Sequence, residues 1–272
     1  MPAAPQPPVV AVDCHAHVMR MGRALAEQHH SAPMRDIEAS DFIRMLDTHG
    51  ISHGVLTAPS FYGADNSLLL EALGRYPDRL RGTAIVEPEI PGRQLEAMAQ
   101  GGVRGIRLNW IRRASLPDAA SRAYQTLFGQ VRDLGWHVET YLEGQYLPQV
   151  LPALRRSGVN VVLDHFASPQ PGLGLQCAGL RQVLQAMEAG NTWVKLSAPY
   201  RLGGADPASY VRAFMQAGGP ERLMWGSDWP WVQHENDGFT YQDCLDGLDA
   251  WVPDEHARHV ILADTPRLLF GF

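Results

Sequence analysis

The feature that most constrains the fold is a repeated alternation between short, β-branched apolar runs and stretches with helical spacing. Eight apolar runs occur, about 34 residues apart on average, which is a spacing typical of βα units. They cover residues 9–15, 52–58, 82–86, 103–109, 136–142, 159–165, 192–197 and 222–228. Between them, apolar residues recur every three or four positions, as in residues 124–134. The sequence therefore predicts alternating strands and helices.

Strands that are apolar on both faces and alternate with helices indicate a parallel sheet. Eight units predict an α/β fold that closes into a TIM-type (β/α)8 barrel. A doubly wound open sheet is the alternative, but it normally carries a glycine-rich phosphate turn after its first strand. Here the first strand ends in DCHAH at residues 13–17. We expect one barrel domain over residues 1–272, with residues 1–8 as a short disordered lead.

The composition excludes several classes of protein. Hydrophobic residues make up 45% and charged residues 19%, which fits a globular chain with a large core. A net charge of −6 argues against nucleic-acid or anionic-membrane partners, and no apolar run approaches the roughly 20 residues that span a bilayer. The three cysteines have no CxxC spacing, which favours a reducing, cytoplasmic location. The sequence leaves a monomer and a homo-oligomer both open.

Polar residues stand at the carboxyl ends of several predicted strands, where barrels of this type place their chemistry. His15 and His17 are two residues apart, so both imidazoles are expected on one face, with Cys14 facing the helices. The sixth run ends at His165 and the eighth at Asp228. Taken singly, His165 could belong to a structural aspartate–histidine pair and Asp228 could cap a helix. Their joint placement predicts an active site.

Arginines near the same end of the barrel indicate an anionic substrate. Arg107 shares the parity of Asn109 on the fourth strand, and Arg201 follows the seventh strand. Because guanidinium groups pair with carboxylates in a bidentate geometry, we expect a small carboxylated substrate; acidic residues of the protein are the alternative partners. The expected substrate-binding residues are Arg107, Asn109, Arg113, Tyr141, Arg201 and Ser60.

Several segments resemble a known family. DCHAH at residues 13–17, VVLDHF at 161–166 and LMWGSDWP at 223–230 resemble the amidohydrolase superfamily in its amidohydrolase-2 branch. Residues 55–63, 105–109, 195–201 and 264–272 are similar to the 2-pyrone-4,6-dicarboxylate lactonases and related sugar-lactone enzymes. The resemblance covers almost the whole chain, and it implies a distorted TIM barrel that hydrolyses at a carbonyl group.

The resemblance also bears on metal binding. Metal-dependent members use the H-x-H pair, a Lys or Glu at the fourth strand, His at the fifth and sixth, and Asp at the eighth. Here the fourth strand offers an arginine and an asparagine and the fifth ends in TYL, so a two-metal site is not expected. The lactonase subgroup works without a metal, and the missing histidine favours that version. If one divalent ion binds, the expected ligands are His15, His17 and Asp228, which suit zinc or manganese.

Together these residues predict a hydrolase that cleaves the lactone ester of a carboxylated ring. Asp228 is the expected base for water, and His17 is expected to orient that water. His15 and His165 are expected to donate hydrogen bonds to the carbonyl oxygen. The alternatives are a sugar-acid lactone isomerase, a metal-dependent decarboxylase and a non-enzymatic ligand-binding barrel. Retention of a base speaks against the last of these.

Overall fold

A computed structural model of the chain describes residues 7–272. Eight strands lie in chain order in one sheet, and each pairs with the next in parallel, as predicted. They are β1 (Val12–Ala16), β2 (His53–Thr57), β3 (Leu80–Ala84), β4 (Val103–Asn109), β5 (His137–Tyr141), β6 (Asn160–Leu163), β7 (Thr192–Leu196) and β8 (Leu223–Trp225). A parallel bridge between Ala16 and Trp229 brings β1 to the far edge of the sheet, so the barrel is nearly closed. Most of the expected lead, residues 1–6, lies outside the described residues.

A helix follows every strand, which confirms the predicted TIM-like α/β barrel. The helices are α1 (Ala39–Thr48), α2 (Ser67–Arg75), α3 (Gly92–Gln100), α4 (Arg122–Asp133), α5 (Leu147–Ser157), α6 (Ala178–Glu188), α7 (Pro207–Gly218), α8 (Tyr241–Trp251), α9 (Glu255–His259) and α10 (Thr265–Phe270). A π-helical stretch, Val260–Asp264, joins α9 to α10. Among residues 7–272, no helix has both the length and the apolar character that crossing a membrane requires.

The main core lies between the barrel wall and the helices. α1 buries Phe42 and Leu46 completely, and burial of each such side chain contributes about 2–3 kcal/mol. Gly54 of β2 allows this close packing, because a Cβ atom built there would lie 2.4 Å from Cε1 of Phe42. The helices therefore fix the positions of the strands whose ends carry the polar residues.

The prediction that Cys14 faces the helices is wrong. Cys14 is buried in a second cluster, where residues of β2, β6 and β8 meet Phe270 inside the barrel. The physical reason is a shift in register between Asp13 and Ala16, which interrupts the alternation of β1. As a result Asp13 turns towards α8, where it accepts a hydrogen bond from Tyr241, while Cys14 and His15 both turn inward.

Strained backbone is concentrated at the carboxyl ends of the strands. Nine non-glycine residues of the described chain have a positive φ, and all nine follow β4, β6, β7 or β8. They are Arg112, His165, Phe166, Ala167, Ser168, Ala198, Asp228, Trp231 and Gln233. Such conformations are costly for residues with a Cβ atom and cluster at functional sites. They therefore indicate that the active site lies at this end of the barrel.

Candidate active site

Three imidazoles converge on one carboxylate oxygen at the carboxyl end of the barrel. Oδ1 of Asp228 lies 3.5 Å from Nε2 of His15, 3.6 Å from Nε2 of His17 and 3.9 Å from Nε2 of His165. All four side chains are buried, with residue exposures of 0 to 6%. The structure thus brings together the four residues that the sequence indicated as catalytic.

The local backbone explains this convergence. β8 ends at Trp225, and Asp228 then adopts a left-handed conformation with a φ of 59°. Its amide donates to the carbonyl of His15 at 2.9 Å, which ties the end of β1 to the loop after β8. His165 is also left-handed, with a φ of 51°, directly after β6 and Asp164. These turns direct side chains of three separate strands to one point.

The tautomer of His17 follows from its second nitrogen. Nδ1 lies 2.7 Å from the carbonyl oxygen of Thr57, which can only accept, so Nδ1 carries the proton. In that tautomer Nε2 is an acceptor, and it faces the site. Nδ1 of His165 lies 2.8 Å from Oγ of Ser197, and a hydroxyl that donates to it leaves the proton on Nε2. Burial lowers the pKa of His165 to about 4, so this ring is neutral near neutral pH.

His15 is held from inside the barrel by a lysine that was not among the predicted site residues. Nζ of Lys195 lies 3.2 Å from Nδ1 of His15, and an ammonium group can only donate. Nδ1 therefore accepts and the proton lies on Nε2, which points at Asp228 and has no hydrogen-bond partner in the described part of the chain. Oδ1 of Asp164 also lies 3.2 Å from Nδ1, but the ammonium contact has the hydrogen-bond geometry.

Below the histidines, two cations and two carboxylates are buried together. Arg107 donates to Oδ2 of Asp164 at 2.8 and 3.1 Å and lies 3.2 Å from Glu139. Lys195 pairs with Glu139 and lies 3.4 Å from Asp164. Burial and the neighbouring Asp164 raise the pKa of Glu139, whereas Lys195 and Arg107 overcome burial and lower the pKa of Asp164. The sequence contains a signal for this cluster, because Glu139 and Lys195 each interrupt an apolar run. A charge buried in a strand needs a partner of opposite charge, so the two residues could have been predicted to pair.

The second oxygen of Asp228 is occupied by protein donors. Tyr200, which was also not among the predicted site residues, donates its hydroxyl to Oδ2 at 2.5 Å, and Nη2 of Arg201 lies 3.4 Å from the same atom. Burial alone would raise the pKa of Asp228, but the facing imidazole of His165 and the Arg201 guanidinium hold it well below its usual range. Asp228 is therefore ionised, and Oδ1 is the oxygen left free to accept a proton.

Two cavities of about 410 and 360 Å³ open above this cluster, with a smaller one of about 40 Å³ between them. Arg107, Asn109 and Ser60 border both the larger cavity and the small one. Tyr141 and Arg201 border the small cavity and the third. Tyr141 joins the cavities to the histidines, because its ring borders two of the cavities and lies 4.8 Å from the ring of His165. A further cavity of about 690 Å³, between α5 and α6, contains none of these residues.

The residues expected to bind substrate lie around these cavities, but they differ in burial and in whether protein groups already pair with them. Arg107 is buried and already has the protein carboxylates that the sequence left open as its alternative partners. Arg113 is exposed and borders the 410 Å³ cavity, and no acidic side chain of the described residues lies within 4 Å of it. Asn109 Oδ1 and Arg201 Nε are buried and have no hydrogen-bond partner within residues 7–272, so both can bind a ligand.

The side chains of His15, His17 and Asp228 meet only some of the requirements of a metal site. Ligand atoms of His15, His17 and Asp228 lie within 4.8 Å of one another, and Nε2 of His17 is a free acceptor. A metal-bound histidine normally donates its other N–H to an acceptor. His15 instead accepts from the Lys195 ammonium, which leaves a proton on the nitrogen that would bind the ion. These residues therefore fit a bound dication poorly.

The chain is similar in sequence to known amidohydrolases and lactone-processing enzymes. The amidohydrolase family model matches residues 12–272. A relative from Comamonas testosteroni, named 2-pyrone-4,6-dicarboxylate hydrolase, is 28% identical over 287 residues, covering 97% of this chain and 90% of the relative. D-galactarolactone isomerase from Agrobacterium fabrum is 25% identical over 239 residues, covering 85% of this chain and 80% of the relative.

Solved structures agree with these matches. A probable 2-pyrone-4,6-dicarboxylic acid hydrolase from Acinetobacter baumannii, with citric acid bound, is 34% identical with a TM-score of 0.91, covering 97% of this chain and 100% of that one. A candidate hydrolase of the same acid from Pseudomonas putida is 38% identical with a TM-score of 0.89, over 97% of this chain and 98% of that one. A zinc-containing amidohydrolase from Burkholderia multivorans, 17% identical with a TM-score of 0.75 over 97% of this chain and 99% of that one, shares the fold.

Proposed function

The chain belongs to the amidohydrolase family, and we propose that it is a hydrolase that opens the ester of a small carboxylated lactone. The observation that carries the proposal is the convergence of three imidazole nitrogens on Oδ1 of an ionised, buried Asp228. Relatives of this chain include a hydrolase of 2-pyrone-4,6-dicarboxylate, which is a carboxylated cyclic ester. The extents of the single domain, the oligomeric state and the cytoplasmic location stay predictions.

Water is activated by Asp228 in this proposal. Oδ2 is held by Tyr200, so the proton of the attacking water passes to Oδ1. His17 accepts a hydrogen bond from the same water at Nε2, since its own proton is fixed on Nδ1 by Thr57. Water oxygen then bonds to the lactone carbonyl carbon, and the carbonyl electron pair moves to the oxygen.

The developing oxyanion is stabilised by the two donor imidazoles. His15 presents N–H at Nε2 because Lys195 occupies Nδ1, and His165 presents N–H when Ser197 donates to its Nδ1. One such preorganised donor typically lowers the barrier by about 3–4 kcal/mol. When the tetrahedral centre collapses, the ring C–O bond breaks and the proton on Asp228 passes to the leaving oxygen. The products are a ring-opened acid and a regenerated carboxylate.

The anionic group of the substrate is bound by guanidinium groups in the cavities. Arg201 has an unpartnered buried Nε and Arg113 has no acidic partner among the described residues, so these two have the free donors. Arg107 contributes through its buried charge, since Asp164 and the carbonyl of Ala58 already accept from its nitrogens. Asn109, Tyr141 and Ser60 supply neutral hydrogen bonds at the cavity wall. We expect such a site to prefer a carboxylated ring over a neutral one.

We propose that the reaction needs no metal ion. The support is the Lys195 ammonium behind His15, a donor where a metal-binding histidine requires an acceptor. If one ion does bind, His15, His17 and Asp228 are its ligands, and it would supply polarisation of the carbonyl group. Zinc and manganese suit two imidazoles and a carboxylate.

A sugar-acid lactone isomerase is the second candidate, because one relative carries that activity in its name. The same base could activate a hydroxyl of the substrate in place of water. The two reactions differ in the source of the new oxygen. Incubation with 2-pyrone-4,6-dicarboxylate and a panel of sugar-acid lactones, in water labelled with oxygen-18, separates them by mass spectrometry. A hydrolase puts the label into a ring-opened acid, whereas an isomerase returns an unlabelled lactone.

A further inference from the structure

We infer that Asp13, Ser227 and Tyr241 form a clamp that holds Asp228 in the conformation needed for its role as a base. The inference rests on the proposed function, and it makes these three residues positioning residues, since they act on Asp228 through hydrogen bonds to the backbone on either side of it. Their side chains are buried between β1, the loop after β8, and α8. We call this group the Asp13 clamp.

The carboxylate of Asp13 accepts four hydrogen bonds. Oδ1 accepts from the amide of His15 at 3.1 Å and the amide of Ser227 at 2.9 Å. Oδ2 accepts from the hydroxyl of Ser227 at 2.5 Å and the hydroxyl of Tyr241 at 2.9 Å. Four donors thus face a group that only accepts, a pattern that an asparagine amide cannot reproduce because its NH2 group donates.

The clamp holds the backbone on both sides of Asp228. Oγ of Ser227 donates to Asp13 and accepts from the amide of Trp229 at 3.0 Å. One hydroxyl therefore bridges the residues before and after Asp228. The left-handed φ of Asp228, 59°, is unfavourable for a residue with a Cβ atom and persists only where its surroundings enforce it. The Ser227 bridge supplies that enforcement.

The clamp also fixes the distance between the base and its neighbour. Asp13 holds the amide of His15 directly and reaches Asp228 through Ser227. The amide of Asp228 in turn donates to the carbonyl of His15 at 2.9 Å. These contacts set the 3.5 Å separation between Nε2 of His15 and Oδ1 of Asp228. Loss of the clamp should therefore impair the chemical step and leave substrate binding largely intact.

The test is a kinetic comparison of Tyr241→Phe, Ser227→Ala and Asp13→Asn, with 2-pyrone-4,6-dicarboxylate as substrate. We expect kcat to fall at least about fivefold in Tyr241→Phe and more in the other two, with KM within about twofold of wild type. Tyr210→Phe is the matched control, because it removes the hydroxyl of another buried tyrosine, on α7, and should leave kcat unchanged. Unfolding curves confirm that each variant is folded at the assay temperature.

A second arm repeats Tyr241→Phe in an Asp228→Asn background. If the clamp acts through Asp228, the tyrosine change alters the residual rate by less than about twofold. An equal loss in both backgrounds, or a kcat unchanged in Tyr241→Phe and Ser227→Ala, overturns the clamp. If Asp13→Asn does not fold, the kcat values of Tyr241→Phe and Ser227→Ala alone test the clamp. Full activity of Asp228→Asn would overturn the proposed base itself, whereas an inactive Asp228→Asn with active clamp variants overturns the clamp alone.

Discussion

Nζ of Lys195 lies 3.2 Å from Nδ1 of His15, so a lysine near the carboxyl end of β7 determines which nitrogen of a β1 histidine carries the proton. The same ammonium pairs with Glu139 on β5. A charge in the barrel interior thereby serves the chemistry above it, because it turns Nε2 of His15 into a donor at the site. The buried cluster is thus part of the active-site architecture as well as of the core.

Removal of this lysine should destabilise the barrel. Lys195→Met leaves Glu139 and Asp164 with one buried cation, Arg107, and we expect a loss of about 3–5 kcal/mol in the free energy of unfolding. Addition of Glu139→Gln restores the balance of charge and should recover a substantial part of that loss. Urea unfolding of both variants measures the effect. A double variant no more stable than Lys195→Met would show that the charges are not coupled in this way.

The stability of the protein should fall on acidification, in part through His137. Burial lowers the pKa of His137 to about 3, against an ordinary value of 6.5, so the folded state keeps it neutral. Below pH 6.5 the unfolded chain takes up a proton that the folded chain refuses, and stability is lost as the pH falls. By pH 5 this one group accounts for about 2 kcal/mol.

The test compares the wild type with His137→Gln. Between pH 7.5 and pH 5 the free energy of unfolding should fall in both proteins, and the fall should be about 2 kcal/mol smaller in His137→Gln. The exposed His256→Gln is the control and should keep the wild-type slope. Chemical denaturation across this pH range gives the values. Equal slopes for wild type and His137→Gln would refute the assignment.

Activity should survive chelation. The reason is the donor placed behind His15, which opposes a metal ion at Nε2. After dialysis against a chelator, kcat/KM should stay within about twofold of its starting value, and elemental analysis should find little bound metal. Loss of turnover that zinc or manganese restores would establish His15, His17 and Asp228 as metal ligands instead.

Substitution of Arg201 should discriminate between charged and neutral lactones. Arg201→Met is expected to raise KM for 2-pyrone-4,6-dicarboxylate at least about tenfold and for a neutral sugar lactone much less, because only the first offers a carboxylate. A fall in kcat for both substrates is expected as well, since Arg201 contacts Oδ2 of Asp228. Arg93→Met, at an exposed position on α3, is the control. Equal changes in KM would exclude Arg201 as the carboxylate contact.

The barrel could be predicted from the sequence because strands and helices leave a periodic pattern of apolar residues. For example, β4 occupies the predicted residues 103–109. It could not predict the shift in register in β1, since alternation along a strand assigns Cys14 and His15 to opposite faces. The four residues around Oδ1 of Asp228 could be predicted from their places at strand ends. Tyr200 could not, because it lies in a single 3-10 turn after β7, which is too short to carry a periodic signal that fixes where its side chain points.

The partners of Arg107 show a second limit of the same kind. Strand parity placed its side chain inside the barrel, and that is where it lies. Parity does not decide between a substrate carboxylate and a protein carboxylate, because both satisfy a buried guanidinium equally well. The choice depends on Asp164 and Glu139, which reach Arg107 from the end of β6 and from β5, respectively. Contacts between strands of this kind require the three-dimensional structure.

The most direct test of the account is the steady-state hydrolysis of 2-pyrone-4,6-dicarboxylate by wild type and by Asp228→Asn. Asparagine keeps the size of the side chain but cannot take a proton from water, so we expect kcat to fall at least about a hundredfold. The wild-type protein should turn over this lactone, and the variant should retain its fold by circular dichroism. Near-full activity in a correctly folded Asp228→Asn would contradict the claim that this carboxylate activates water.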